Sequence, residues 1–336
     1  LNGKFSYHLS DNDILSLSVY NGTDKLDNSS SMDMPNMGSS SSSTFNSSST
    51  DYTKYGNVGS SLKWYKKWND KLYGNHLLTY SNYFSSRERS QERTITDSSG
   101  ESSTSKSGVF ENNDLYDFSF KTDYQWEILK HCQLQFGSFL SNIKIAYDYA
   151  QSDTASLLNK NDQGVLAGGY LQTKIKFLNE KLVFLPGVRT TYFDPTGKLY
   201  YEPRFSMSYN VFGNITLKAA TGKYYQFVNK VTREDIMSGS KEFWLLADGS
   251  SLPISSANHY ILGLNYENNN YLFSAEMYHK DIFNLTEYSL RFNPSPTGTN
   301  FSENFYTGHG YADGIEFMAQ KKSGKFNGWI NYTIGE

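Results

Sequence analysis

Several stretches of this sequence carry residue types that can do chemistry. Ala220-Thr221-Gly222-Lys223 has the Gly-Lys pair of a phosphate loop, in which backbone N–H groups and a lysine cradle phosphate oxygens. It lacks the upstream glycine at the required spacing, and it ends a predicted strand where a phosphate loop joins a strand to a helix, so nucleotide binding does not follow. Asn159-Lys160-Asn161-Asp162-Gln163-Gly164 offers oxygen ligands like part of a calcium loop. No glutamate follows at the distance that supplies the bidentate ligand, and the stretch reads as a polar surface loop. The six histidines, His8, His76, His131, His259, His279 and His309, form neither HExxH nor an i, i+4 helical pair. Cys132 is the single cysteine, which leaves no CxxC metal signature and no disulfide framework. No Ser-His-Asp set and no pair of acids falls on a common site, so neither catalysis, nor a metal, nor a cofactor is expected. What remains is aromatic: Tyr224, Tyr225, Phe227, Phe243 and Trp244 lie at or beyond a predicted strand end. Rings there could stack on a sugar or an organic ligand, or could form an interface belt against a membrane.

The elements that must position these rings are strands. Hydrophobic residues make up only 38% of the 336 residues, low for a domain with a deep core, yet aromatics reach 16%, with 27 Tyr and 22 Phe. A transmembrane barrel reconciles the two, because only half of its strand residues need be apolar and both membrane interfaces call for rings. No apolar run is long enough for a membrane helix, whereas tilted strands of roughly ten residues suffice to cross. The net charge of -3, with both signs interspersed, gives no reason to propose nucleic acid as a partner.

The sequence has a rhythm of paired strands joined by tight turns and separated by long polar stretches. Period-2 patterning predicts hairpins at 3–9 with 14–22, 55–67 with 71–85, 114–128 with 133–149 and 165–178 with 181–193. Three more are predicted at 199–210 with 214–225, 257–267 with 271–283 and 309–321 with 325–334. Turn chemistry supports them at Asp11-Asn12-Asp13, Asn69-Asp70, Asn179-Glu180, Phe212-Gly213-Asn214, Asn268-Asn269-Asn270 and Ser323-Gly324. The connections 28–50, 86–112, 226–256 and 284–307 are expected to be extracellular loops, the Ser-rich first of them mobile. Alternation runs through the strands: Phe205, Met207 and Tyr209 against Arg204, Ser206, Ser208 and Asn210, and Phe326, Gly328, Ile330 and Tyr332 against Asn327, Trp329, Asn331 and Thr333. A β-sandwich alternates too, but its strands are shorter and its connections do not alternate between short and long.

The stretches YEPRFSMSYN (201–210), ITLKAATGKYYQFVNKVTRED (215–235), SSANHYILGLNYE (255–267) and GHGYADGIEFMAQKKSGKFNGWINYTIG (308–335) carry a family likeness. From about Tyr200 to Glu336 the chain resembles the barrel of TonB-dependent receptors, especially those of the Bacteroidetes type. Gly308, Gly310, Ala312, Gly314, Ile315 and Glu316 match a small-residue strand with an aliphatic-Glu pair that is common late in such barrels. The resemblance implies an all-β, antiparallel outer-membrane barrel, with this chain supplying about 14 strands of a wall of about 22. It also implies a separate plug that fills the lumen, a ligand taken up at the extracellular mouth, and a TonB system in the inner membrane that pulls on the plug. Residues 1–336 are thus expected to be a partial barrel domain, without the plug or the last strands and with no leader before Leu1.

Two functions stay open on the residues alone. One is an energised importer of an iron chelate, glycan, vitamin or peptide, in contact with outer-membrane lipid. The other is a passive porin or adhesin barrel, with the same strand pattern and no plug. A secreted β-sandwich would need its apolar faces packed inward. Charged wall residues such as Arg204, Lys218 and Glu316 are expected to be solvated or paired members of an inner wall.

Overall fold

The computed structural model describes residues 1–34, 44–97, 99–151, 155–233, 241–295 and 298–336, and among these there is no helix. Alternating polarity and frequent β-branched or aromatic residues favour the pleated state, and the turn residues then fold each strand back on its predecessor. The first strands are β1 (Asn2–Ser10), β2 (Asp13–Asp27), the short β3 (Ser30–Met34), β4 (Thr44–Asn69) and β5 (Leu72–Thr96). The wall continues through β6 (Ser102–Leu129), β7 (Cys132–Gln151), β8 (Ala155–Phe177), β9 (Leu182–Phe193), β10 (Lys198–Asn210) and β11 (Ile215–Gln226). A hairpin of β12 (Val228–Arg233) and β13 (Lys241–Leu246) interrupts it before β14 (Ser255–Glu267), β15 (Tyr271–Ser295), β16 (Gly298–Lys321) and β17 (Gly328–Gly335).

The described strands form one 17-stranded sheet. Its wall is an antiparallel meander from β1 to β17 in which β2 pairs with β4 and β11 with β14, so that β3 and the β12–β13 hairpin stand outside the succession. All seven predicted hairpins are present within a few residues of their expected bounds at the turn ends. β1 and β17 each pair with a single neighbour.

The sheet is apolar on its outward face. Leu17, Leu62, Phe118, Leu171, Phe205 and Leu262 are all exposed there, a pattern that a water-facing sheet does not tolerate and a hydrocarbon-facing one requires. Close to the tight turns this face carries rings: Trp64 stacks on His76 at 4.9 Å, and Trp68 and Phe136 lie 5.5 and 5.1 Å from Tyr124. Such a belt marks a membrane interface. On the opposite, lumen face, Gly137 illustrates how rings and wall fit together. A Cβ there would run into the Thr122 carbonyl and the Tyr170 ring, and without one Tyr170 reaches across to donate a hydrogen bond to Asp123 (2.8 Å).

Three expectations need correction. The stretches 86–112 and 284–307 are mostly strand, because β5, β6, β15 and β16 run on for 24 to 28 residues, well past the length that crosses a membrane. Within 28–50, β3 and the start of β4 are also paired, and residues 35–43 lie outside the described residues. The physical reason is that Ser and Thr pair well across strands, as in Thr94 with Thr104 (3.0 Å) and Thr96 with Ser102 (2.8 Å). Their polarity reported water, not irregular backbone. Finally, residues 159–164, read as a surface loop, belong to β8, with Asp162 opposite Ile145 of β7.

Candidate functional site

The stretch between β11 and β14 turns inward instead of projecting outward. Lumen-facing residues of β7 can be followed by parity: Gln133, Gln135, Phe139 and Ser141 line its lower part, and Ile143, Ile145, Tyr147 and Tyr149 its upper part. Those four upper residues are buried because the β12–β13 hairpin lies against them. Val231 of β12 and Phe243, Leu245 and Leu246 of β13 fill the space, with Phe193 from the wall and Leu252 and Ile254 from the return segment. Among the described residues this is the hydrophobic core of the molecule, and it sits inside the lumen.

Two contacts fix the hairpin in place. Phe243 stacks on Tyr147 with centroids 4.1 Å apart and an interplanar angle of 11°. Asn113 of β6, itself buried, accepts a hydrogen bond from the Trp244 backbone N–H (2.9 Å) and donates through Nδ2 to the Trp244 carbonyl (3.4 Å) and to Ala146 O (3.1 Å). One amide side chain thereby satisfies both polar groups of a backbone unit that the core has removed from water. The return segment is held by Asp248, which accepts from the Ser250 and Leu252 N–H groups (2.7 and 2.9 Å) and from the Ser251 hydroxyl (2.5 Å). Burial acts to raise the Asp248 carboxyl, but these donors prevail and hold it below the ordinary carboxylate range.

Beside the hairpin the wall of β9–β11 carries a second arrangement. Glu202 is buried at the lumen surface and takes Arg189 Nε at 3.3 Å and Arg204 Nη2 at 3.4 Å on one oxygen, and the Tyr225 N–H (3.0 Å) on the other. Arg189 lies over the Phe139 ring at 4.3 Å and Arg204 over Tyr224 at 4.7 Å, and Tyr224 meets His259 at 4.7 Å. Two guanidinium groups on one carboxylate leave one positive charge facing the lumen, flanked by aromatic planes.

The five candidate rings are therefore divided. Phe227 and Phe243 are buried in the core, at 9% and 1% exposure, and their faces are spent on Phe193 and Tyr147. Tyr225 packs edge-on against Tyr200 at 5.0 Å, and Trp244 packs on the edge of the core. Tyr224 is the ring that faces the lumen beside charged groups. Arg204 is paired, as expected of an inner-wall residue, while Glu316 stands directly opposite a second carboxylate, Glu276. Asn113, Tyr147 and Glu202 were missed. The only trace of the core in the sequence is the apolar run Phe243-Trp244-Leu245-Leu246-Ala247 inside a stretch read as loop.

The other chemical candidates do not assemble a site. Thr221 is paired on both sides, to Phe205 and to Tyr260, so the backbone around Gly222-Lys223 is committed to the sheet and cannot cradle a phosphate. Asp162 is held opposite Ile145 in the β7–β8 ladder, so residues 159–164 are extended strand and not the turning loop that wraps a calcium ion. Among the described residues no group of three or more His, Cys, Asp or Glu side chains could hold a metal ion.

This architecture is shared with known proteins. The family model described as TonB dependent receptor-like, beta-barrel matches residues 3–335. No curated protein sequence matches. Among solved structures, the siderophore receptor PirA from Pseudomonas aeruginosa superposes with a TM-score of 0.53 at 12% identity, covering 99% of this chain and 65% of that one. The ferric enterobactin receptor PfeA of the same organism gives 0.53 at 10% identity (98% and 61%), and the outer membrane transporter YddB from Escherichia coli 0.51 at 10% (96% and 54%). The chain thus spans between about half and two thirds of these structures' length. At such identities the likeness is one of fold, and the family model, which covers nearly every residue, carries the assignment. An antiparallel meander, apolar outside and polar within, is what that family builds in the Gram-negative outer membrane, and this chain belongs to the TonB-dependent receptor β-barrel family.

Proposed function

We propose that this chain forms wall and mouth of an outer-membrane receptor that imports an extracellular ligand through rearrangement of a plug, driven by the TonB system. The observation that carries the reading is the match to the receptor-barrel family over residues 3–335. The β12–β13 hairpin, folded against the inner face of β6–β8, narrows the lumen beside the proposed ligand surface and is compatible with this reading. Ligand contact falls to Tyr224, in company with Arg204 and His259, and to the exposed parts of Tyr225 and Trp244. Phe227 and Phe243 hold the hairpin that borders this surface.

The cargo is an iron chelate, glycan, vitamin or peptide, and ferric chelates head the panel because similar structures are those of siderophore receptors. The test is uptake of labelled members of each class by cells expressing the complete protein, with and without a working TonB system. TonB-dependent accumulation of one class is expected. Uptake that persists undiminished without TonB would assign the barrel to the passive class.

A further inference from the structure

The lumen face of β9–β15 carries more than the Glu202 cluster. Strand register sets Arg204 opposite Gly222, Gly222 opposite His259 and His259 opposite Lys280, on the same side of the sheet as Arg189 and Glu202. The Tyr224 ring lies over Gly222, its hydroxyl 2.9 Å from where a Cβ would stand, and so fits between Arg204 and His259. On β15 the Tyr278 ring lies likewise over Gly314 of β16, with Lys280 Nζ 5.1 Å from its centroid. Cations and aromatic planes thus alternate along the wall from Arg189 to Lys280. Glu202 is shared between the two guanidinium groups, whereas among the described residues no ion pair engages Lys280. Asp281 and Asp313 project from the opposite face, and Glu276 stands two lumen positions nearer the turn than Lys280.

Within the receptor function proposed above, on which the inference rests, we propose that this row binds an anionic cargo and that Lys280 is the residue that selects for charge. Three arguments converge. Arg189, Arg204 and Lys280 share one carboxylate, so the row keeps a surplus of positive charge that an anion complements and a neutral sugar or peptide leaves without a counter-ion. Arg204 gives Glu202 one contact, at 3.4 Å, and its Nε has no acceptor among the described residues, so the guanidinium keeps donors for carboxylate or phosphate oxygens. The rung from Arg204 to Lys280 is fixed by hydrogen-bonded strands, which places the charges before a ligand arrives and spares it the cost of ordering them. The half-buried rings of Tyr224 and Tyr278 add apolar contact on either side of His259.

The test is calorimetric titration of the complete protein in detergent with paired probes: an anionic ferric tris-catecholate against a neutral ferric tris-hydroxamate, an oligogalacturonate against its methyl ester, and an Asp-rich peptide against its Asn counterpart. The pair that binds identifies the source of the charge. Its anionic member should bind at least about tenfold tighter at low salt, the worth of one charge-assisted hydrogen bond. Lys280→Gln should cut that preference at least about threefold and Lys280→Glu should abolish it, while Lys325→Gln, at the β16–β17 turn, should keep it. Heat-dependent mobility on gels verifies that each variant is folded. The titration contains no TonB, so charge selection is read apart from energised uptake: TonB-independent uptake in cells would strike the importer reading and leave the titration result standing. Failure of every anionic probe to bind, equal affinity of paired members, or a preference unchanged in Lys280→Gln would each overturn the proposal.

Discussion

Two sectors of the same wall are stabilised in different ways. Along the upper part of β6–β9 the lumen face is covered, with Ile145, Tyr147 and Phe193 packed against Val231, Phe243 and Leu246 in a dry core. Along β14–β17 the lumen face is open, with Glu276 and Glu316 side by side and Ser274, Asn331 and Thr333 around them, while Leu262, Leu264, Met277 and Phe317 are exposed on the outward face. The first sector owes its stability to burial within the protein as well as to its ladders and to the outward residues Phe118, Leu140 and Leu171. The second owes it to ladder hydrogen bonds and to the hydrocarbon outside. A barrel wall is thus not uniform, and the sector that folds a segment into its own lumen adds a dry internal core to the apolar outward face that both sectors share.

The largest effect that sharpens this contrast is expected from Phe243→Ala. Removing a ring that is 1% exposed costs about 3–5 kcal/mol, which exceeds what holds a two-stranded hairpin in place. Hydrogen exchange should show residues 228–233 and 241–246 deprotected while β15 and β16 keep their protection; deprotection of the open sector as well would mean that the sectors are not independent. Leu262→Arg, on the outward face of β14, is the converse probe. It should cost about 2–4 kcal/mol in bilayers, measured by denaturant titration in vesicles, and leave the exchange of the hairpin unchanged. Asn113→Ala comes next, at about 1–3 kcal/mol for the Trp244 groups left unpaired, and Asn113→Asp should recover only the half of the contact that accepts a hydrogen bond. The smallest effect is acid sensitivity. Because the folded Asp248 carboxyl lies below its ordinary value of 3.8, its contribution is complete above that pH and is lost as pH falls through the lower folded value. Trp244 fluorescence should therefore show a loosening step below pH 3.8 that Asp248→Asn removes.

The seven wall hairpins were legible in the sequence because each is a local event, set by period-2 alternation and by a turn such as Asn268-Asn269-Asn270, where the Asn268 side chain accepts from the N–H groups of Asn270 and Tyr271 (2.9 and 2.7 Å). The inner and outer faces followed for the same reason. The extent of β5 and β6 beyond the membrane was not legible, since Ser and Thr serve a solvated strand as well as a loop. Nor was the site. Asn113 and Trp244 are 131 residues apart, and nothing in either neighbourhood announces the other. Of the five rings singled out for ligand contact, Tyr224 faces the lumen and Phe227 and Phe243 are core, a distinction that depends on which way the stretch after β11 turns.

That long-range latch also sets an order of events. Tyr147 and Asn113 can receive the hairpin only once the intervening strands have curved far enough to bring β12 and β13 across from β6 and β7, and closing so long a loop is slow compared with zipping adjacent strands. The covered sector, the driest part of the molecule, is then the last to mature during assembly. Until it does, Ile145, Tyr147 and Phe243 lack the partners that keep them dry.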